Sequence, residues 1–385
     1  MVAAARRGQP LRQVAGHFGV TLSTLQYWLR HAHGQRLDRV DFSDQPRGPR
    51  TPANRVSVQL EDRVLTLRDQ LHRSSDLGHR GAVAIRQALA EQSGPPLPSV
   101  RTIGRILERR GALDGNTRHR RPPPPLGWYL PAVAAGRAEL DSIDAVEGLV
   151  LRGGPAVQVL TGVSLHGGLA AAWPVADPVT AAFVLAGLEG HWRQFGLPGY
   201  AQFDNDSLFQ GSHTHADVIG RVMRLCLSLK VTPVFAPPRE TGFQAAIENF
   251  NGAWQDKVWS RFEHTGLEDL GQRSQRYVAA LRRLRAERIA AAPARRPFPA
   301  RWHLDLQARP HGRLIYLRRT NGAGQVSVLG HTWLVAATWV QRLVRVEVNL
   351  PAGPVRCYRL RRRQPAEQPL LGELPYQLPK RLFHE

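Results

Sequence analysis

Cysteine is scarce in this chain: two residues among 385, Cys226 and Cys357. Two thiols so far apart in sequence can build neither a zinc cluster nor a disulfide framework, and they suit a reducing cytoplasm. Acidic side chains are short too, 31 against 52 Lys and Arg, leaving a formal net charge of +21. Long apolar runs are missing, for no stretch approaches the roughly 18 residues a membrane span needs. The N-terminal MVAAARRGQP lacks the apolar core of a secretory signal. Secreted, membrane and zinc-finger classes are therefore excluded, and no membrane partner is expected.

What is present is a chain long enough for two or three domains, with 42% hydrophobic residues to build their cores. Its positive excess favours polyanionic partners, of which nucleic acid is the commonest. Composition divides the chain into helical residues 1–33, a polar, Pro/Gly-rich linker 34–54, and a second helical module 55–113. A basic, proline-rich spacer spans 114–131, with Arg118, Arg120 and Arg121 ahead of Pro122 to Pro125. Mixed strands and helices fill 132–265, a basic helix 266–294, and short strands 295–385.

Leu11, Val14, Ala15 and Phe18 recur at helical spacing, Gly19 permits a turn, and Thr21 can cap a second helix that buries Leu25, Trp28 and Leu29. This helix-turn-helix pattern leaves Ser23, Thr24, Gln26, Tyr27 and Arg30 to face a DNA groove. A plain helical hairpin would show the same pattern. In the second module Ser99 caps SVRTIGRILERRG, whose apolar face is Val100, Ile103, Ile106 and Leu107. Arg101, Arg105 and Arg109 point elsewhere and suit phosphates, or simply a solvated face.

In the central part, RAELDSIDAV reads as a strand carrying Asp141, GYAQFDND as a strand ending in Asp204 and Asp206, and FQAAIENFNGAWQDKVWSRF as a helix carrying Glu248. Three strands, then helix, strand, helix, strand and helix, predict a mixed sheet with helices on its faces. In such sheets, sites form at the carboxyl ends of strands.

This constellation resembles the DDE transposases and retroviral-type integrases, most closely bacterial insertion-sequence transposases with an integrase core. Asp141 in ELDSID, Asp204 in QFDND and Glu248 in PPRETGFQAAIENFN carry the resemblance. The first two carboxylates are 63 positions apart (204 − 141), ordinary for that family. Two departures stand out. Asp206 replaces the glycine expected after Asp204-Asn205, as a further acid, a ligand or a loop residue. The next gap, 44 (248 − 204), is long, and Glu240 sits at the usual spacing. Glu248 is preferred because it lies inside a predicted helix, one turn before Asn251. The resemblance implies a multidomain α/β chain: helix-turn-helix modules, an RNase H-like mixed α/β core, and a C-terminal SH3-like β-barrel with Arg361, Arg362 and Arg363 on a basic edge.

The resemblance further implies a DNA transposase or integrase that binds terminal inverted repeats and catalyses cleavage and strand transfer. Asp141, Asp204 and Glu248 would hold two Mg²⁺ ions, with Mn²⁺ as a substitute, since in-line phosphoryl transfer needs charge stabilised on attacking and leaving oxygens. Double-stranded DNA, both element ends and target, a homo-oligomer and a place beside the bacterial nucleoid follow; an accessory ATPase stays open. A catalytically idle DNA-binding regulator and an RNase H-like nuclease are the alternatives. His213 and His215 form a His-x-His pair read as a polar loop. Trp254 and Trp259 read as packing residues, and the arginines of 268–291 as a surface for DNA or a second subunit.

Overall fold

The computed structural model describes residues 1–43, 56–92, 97–113, 125–212, 214–240, 242–381 and 383. Arg118, Arg120, Arg121 and His213 lie outside them, as does most of both linkers. Internal contacts divide the chain into Met1–Arg63 and Val64–Glu385.

In the first unit, α1 (Val2–Arg6), α2 (Leu11–His17) and α3 (Leu22–His31) enclose Ala4, Val14, Ala15 and fully buried Leu25. Gly19, at φ 64, turns the chain between α2 and α3, a conformation that suits glycine. The Thr21 hydroxyl then accepts the Thr24 amide at 3.2 Å, capping α3. Helix α4 (Val58–Ser74) runs across the division between the units.

The second unit continues with α5 (Ala82–Gln92) and α6 (Val100–Arg109), where Ile85, Leu89, Ile103, Ile106 and Leu107 are buried. Arg68 of α4 ties this module together, donating to the carbonyls of Arg80 and Ala112, both at 2.8 Å. Arg261 donates to the carbonyls of His72 and Ser75, fastening the turn after α4 to the body of the unit.

After α7 (Pro131–Ala134) come β1 (Leu140–Val150), β2 (Ala156–Ser164), β3 (Ala170–Ala176), α8 (Ala181–Phe195), β4 (Tyr200–Phe203), α9 (Ser207–Gln210), α10 (Arg221–Ser228), β5 (Thr232–Phe235) and α11 (Ala245–Trp254). Apart from the short α7 and α9, this is the element order read from the sequence. A π-helical turn, Gln255–Trp259, follows α11, then α12 (Leu267–Leu284) and α13 (Ala286–Ala290). The β1–β2–β3 strands are antiparallel, while β4 and β5 run parallel to β1. Helices α8 and α10 bury Val184, Leu188, Trp192 and Val222 against one face. Helices α11 and α12 bury Ile247, Trp254, Tyr277 and Leu281 against the other.

The tail departs from expectation. Strands β6 (Gly312–Arg319), β9 (Leu343–Leu350), β10 (Ala352–Arg359) and β11 (Leu370–Gln377) do not close into a separate barrel. They extend the core sheet, which runs β11-β10-β9-β6-β5-β4-β1-β2-β3, while β7 (Gln325–Val328) and β8 (His331–Leu334) form a separate ribbon. The cause lies in β6, whose Leu314, Ile315, Tyr316 and Leu317 are all buried. A strand apolar on both faces needs cover on both and a partner at each edge. The parallel pairing of Val234 with Ile315 and Phe235 with Tyr316 supplies one edge, and β9 the other.

Candidate active site

Strand β1 is buried on both faces, so its alternation decides which side each carboxylate serves. Leu140, Asp141 and Ser142 lie beside Tyr200, Ala201 and Gln202 of β4. Continuing that parallel register by two residues sets Asp144 beside Asp204. Both point to the α11 side, where Asn251 Nδ2 donates to Asp144 Oδ2 at 2.8 Å. Glu248 lies one turn earlier on the same helix, exposed above buried Ile247 and Asn251.

The start of α11 is pinned to β4. Gln202, fully buried, donates to the Phe243 carbonyl at 2.8 Å, and the Tyr129 hydroxyl donates to Gln202 Oε1. Asn205, next to Asp204, donates to the Ala236 carbonyl at 2.5 Å. The strand holding Asp204 and the helix holding Glu248 are thus joined by buried hydrogen bonds.

The site is electronegative. The Asp144 carboxyl is pushed up to about 6, first by burial and then by the charges of Asp204 and Glu248; Asn251 opposes this only in part. Asp204 is raised as well, by burial and by the charges of Asp206 and Glu147. Among the described residues neither aspartate pairs with a basic side chain. Clustered carboxylates with perturbed protonation are a common mark of a functional site.

Asp141 is not part of this cluster, which corrects its assignment as a ligand. Three residues from Asp144, it faces the opposite side of the sheet. There Arg295 grips it with two bonds, 2.9 Å to Oδ1 and 2.6 Å to Oδ2, and Trp192 Nε1 donates to it at 3.0 Å. Although burial works against its charge, Arg295 holds the carboxyl below its ordinary range. Nearby His191 is driven down to about 4, chiefly by burial. Asp141 is a structural anion that fastens the chain after α13 to the sheet.

The remaining candidates fall into place. Glu240 is ion-paired with Arg319. Asp206 is an exposed loop residue that caps α9, accepting the Leu208 amide at 2.7 Å, and its own amide donates to Asp204 Oδ1 at 3.0 Å. Trp254 is fully buried and donates to Ser274 Oγ. Ser23, Gln26, Tyr27 and Arg30 are exposed on α3, with Thr24 half-buried; Arg101, Arg105 and Arg109 are exposed on α6.

Much of the basic helix, however, faces inward. Arg282 donates to the Ala170 carbonyl, Arg285 to Gly168, and Arg288 to Leu165 and His166. These arginines, three residues apart, clamp the β2–β3 turn from one side. Buried Glu139 accepts the His166 and Gly167 amides, each at 2.9 Å, from the other.

Sequence reasoning missed Asp144 and Thr161. Thr161 is paired with Asp144 across β1 and β2, and its hydroxyl donates to Asn251 Oδ1 at 2.7 Å. No local signal singles Asp144 out, because β1 is covered on both faces and carries Asp141 as well.

These three carboxylates, which among the described residues have no basic partner, are the hard oxygen donors that suit Mg²⁺. Their chemistry fits the ion, although among the described residues no three His, Cys, Asp or Glu side chains are already drawn together around a metal position.

No family model and no curated protein matches the chain. Its structure is similar to that of retroviral integrases. The catalytic core domain of BIV integrase matches at TM-score 0.28 and 18% identity, over 37% of this chain and 82% of that one. The simian T-cell lymphotropic virus intasome, in complex with a PP2A regulatory subunit, matches at 0.34 and 14%, over 75% and 91%. The HTLV-2 integrase core, in a dimeric form with magnesium, matches at 0.29 and 12%, over 38% and 86%.

Proposed function

We propose that this protein is a DNA strand transferase of the integrase and transposase type, with Asp144, Asp204 and Glu248 as its catalytic carboxylates. The observation that carries this reading is the register of β1 on β4. It sets two partly buried aspartates side by side on the face covered by Glu248's helix, and among the described residues no basic side chain neutralises them. Divalent cations, when bound, supply the charge stabilisation that in-line displacement at phosphorus requires. The chain's own residues provide the rest. Asn251 holds Asp144 in one orientation, Thr161 fixes the Asn251 amide, and Gln202 with Tyr129 keeps Glu248's helix on β4. Without a cation, Asp144 retains a proton up to about pH 6, so cation binding is coupled to proton release.

Double-stranded DNA would be gripped by the exposed face of α3 and the arginines of α6. Joining two ends requires a dimer or larger assembly. The test is a strand-transfer assay with oligonucleotides of element ends, a supercoiled plasmid and Mg²⁺, comparing wild type with Asp144→Asn. Joined products lost in the variant support the assignment. Hydrolysis without joining would indicate a nuclease, and end binding with neither reaction an idle regulator.

A further inference from the structure

A cavity of about 940 Å³ opens between three stretches of the second unit: α9 with the loop to α10, residues 307–310 ahead of β6, and the chain after β11. That volume lies within the about 300–1,000 Å³ of small-molecule sites. None of Asp144, Asp204 and Glu248 lines it.

Its walls are cationic. Arg221, Arg224, Arg309, Lys380 and Arg381 line it, and among the described residues Asp217 is the one acid that does. That carboxylate is engaged: it accepts the Tyr376 hydroxyl at 2.8 Å and lies 2.8 Å from His331 Nε2. Asp305 is within electrostatic reach of Arg224, and its Oδ1 accepts the Gln307 amide at 2.8 Å. Two acids against five bases leave a concave wall of one sign, which concentrates anions.

The cations and the ring beside them are held in place. Arg224 donates through Nε to the Ile219 carbonyl at 3.0 Å, and through Nη1 to those of Leu306 and Ala308 at 2.9 and 3.0 Å. Its guanidinium lies 4.9 Å from the centre of the Phe383 ring. The Gln307 side chain straps Phe383 down, donating to its carbonyl at 3.2 Å and accepting its amide at 3.0 Å. Arg309 donates to the Leu378 carbonyl at 3.2 Å. Leu208, Ile219, Pro310 and Leu378 supply apolar wall, and Ser212 and Thr214 supply hydroxyls.

The geometry points to a binding site for a nucleoside phosphate, walled by the protein's own C-terminal chain. Guanidinium and ammonium groups suit the phosphates, Arg as a two-pronged fork and Lys as a point charge. The hydroxyls of Ser212 and Thr214 suit a sugar. The apolar wall beside the Arg224–Phe383 stack suits a base, since any base offers a flat face to an aromatic or guanidinium plane. Pyrophosphate would leave the apolar wall uncovered, and a free nucleoside would leave the cations unmatched. The site is separate from the carboxylate cluster and does not depend on the strand-transfer reading.

The test is calorimetric titration of the full chain, without divalent metal, by ADP, inorganic pyrophosphate and adenosine. ADP should bind one-to-one and saturate below about 1 mM, about 10-fold more tightly than pyrophosphate or adenosine. No saturation by ADP overturns the site. Equal binding of pyrophosphate and ADP overturns the nucleoside phosphate.

Variants locate the binding. Lys380→Gln with Arg381→Gln removes two exposed charges and should weaken ADP about 10-fold. Removing the exposed Arg73 and Arg137, which do not line the cavity, should change binding less than about twofold in about 0.15 M salt. Equal weakening by the two pairs would reduce the effect to net charge and overturn the site. Should the first pair misfold, Ala308→Trp decides. It fills the cavity from an exposed position outside any helix or strand, and it should abolish saturation by ADP while thermal melting shows the chain folded. Unchanged ADP binding in that variant overturns the site.

Discussion

Asn251 donates through Nδ2 to Asp144 at 2.8 Å while its Oδ1 accepts from the buried Thr161 hydroxyl at 2.7 Å. The second bond fixes which end of the amide faces the carboxylate, so Asn251 acts as a positioning residue. Asn251→Ala should fold, yet need about 10-fold more Mg²⁺ for half-maximal strand transfer, the lower end of the effect seen when partners of metal ligands are removed. A metal titration of activity checks this, and an unshifted midpoint refutes the role.

The two aspartates of β1 should behave oppositely. Asp144→Asn is expected to lower strand transfer about a hundred- to a thousand-fold, as when one electrostatic partner of a transition state is removed, without loss of thermal stability. Asp141→Asn leaves Arg295 buried without its counter-charge and should cost about 3 kcal/mol of stability. Thermal melting beside the activity assay distinguishes the two. Equal melting temperatures would contradict the assignment.

Stability of the metal-free protein should carry the imprint of Asp144. Its folded-state value, about 6, lies above the ordinary 3.8. Its contribution is therefore complete below about pH 4 and is lost as pH rises through 6, a loss of about 2–3 kcal/mol as an order of magnitude. Asp204, also raised, acts in the same direction. Asp144→Asn should therefore gain stability over wild type from pH 4 to 7 and then level off, and Mg²⁺ should shrink the gap. Scanning calorimetry at several pH values would show it; a gap that narrows with rising pH without metal refutes it.

The arginine clamp on the β2–β3 turn should be structural. Arg282→Ala is expected to cost about 1–2 kcal/mol through its lost bond to the Ala170 carbonyl. Exposed Arg283→Ala should stay within about 0.5 kcal/mol of wild type. Denaturant melts provide the comparison. If Arg282→Ala instead lowered the salt slope of DNA binding without affecting stability, the helix would be a DNA surface after all.

Asp204 and Glu248 were recognisable because each sits in a local pattern: one ends a strand, the other lies inside a helix before an asparagine. Asp144 was not, because β1 is covered on both faces. An apolar-in, polar-out alternation would mark the functional side, and a doubly covered strand lacks it. Asp141's partner lies 154 residues downstream, beyond the reach of any local signal. The tail strands were readable one by one, but their attachment to β5 depends on a short parallel pairing between distant segments. The basic helix showed its charge but not its target, since carbonyl acceptors on a hairpin turn leave no trace in composition.

The pairing of β5 with β6 also bears on incomplete copies of the protein. A chain ending before Gly312 would expose the β5 edge, with Val234 and Phe235 deprived of Ile315 and Tyr316. An open apolar edge recruits other chains, and the partner with the same unpaired edge is a second truncated copy. Premature termination would then yield not a smaller working protein but a sticky fragment that gathers with its own kind.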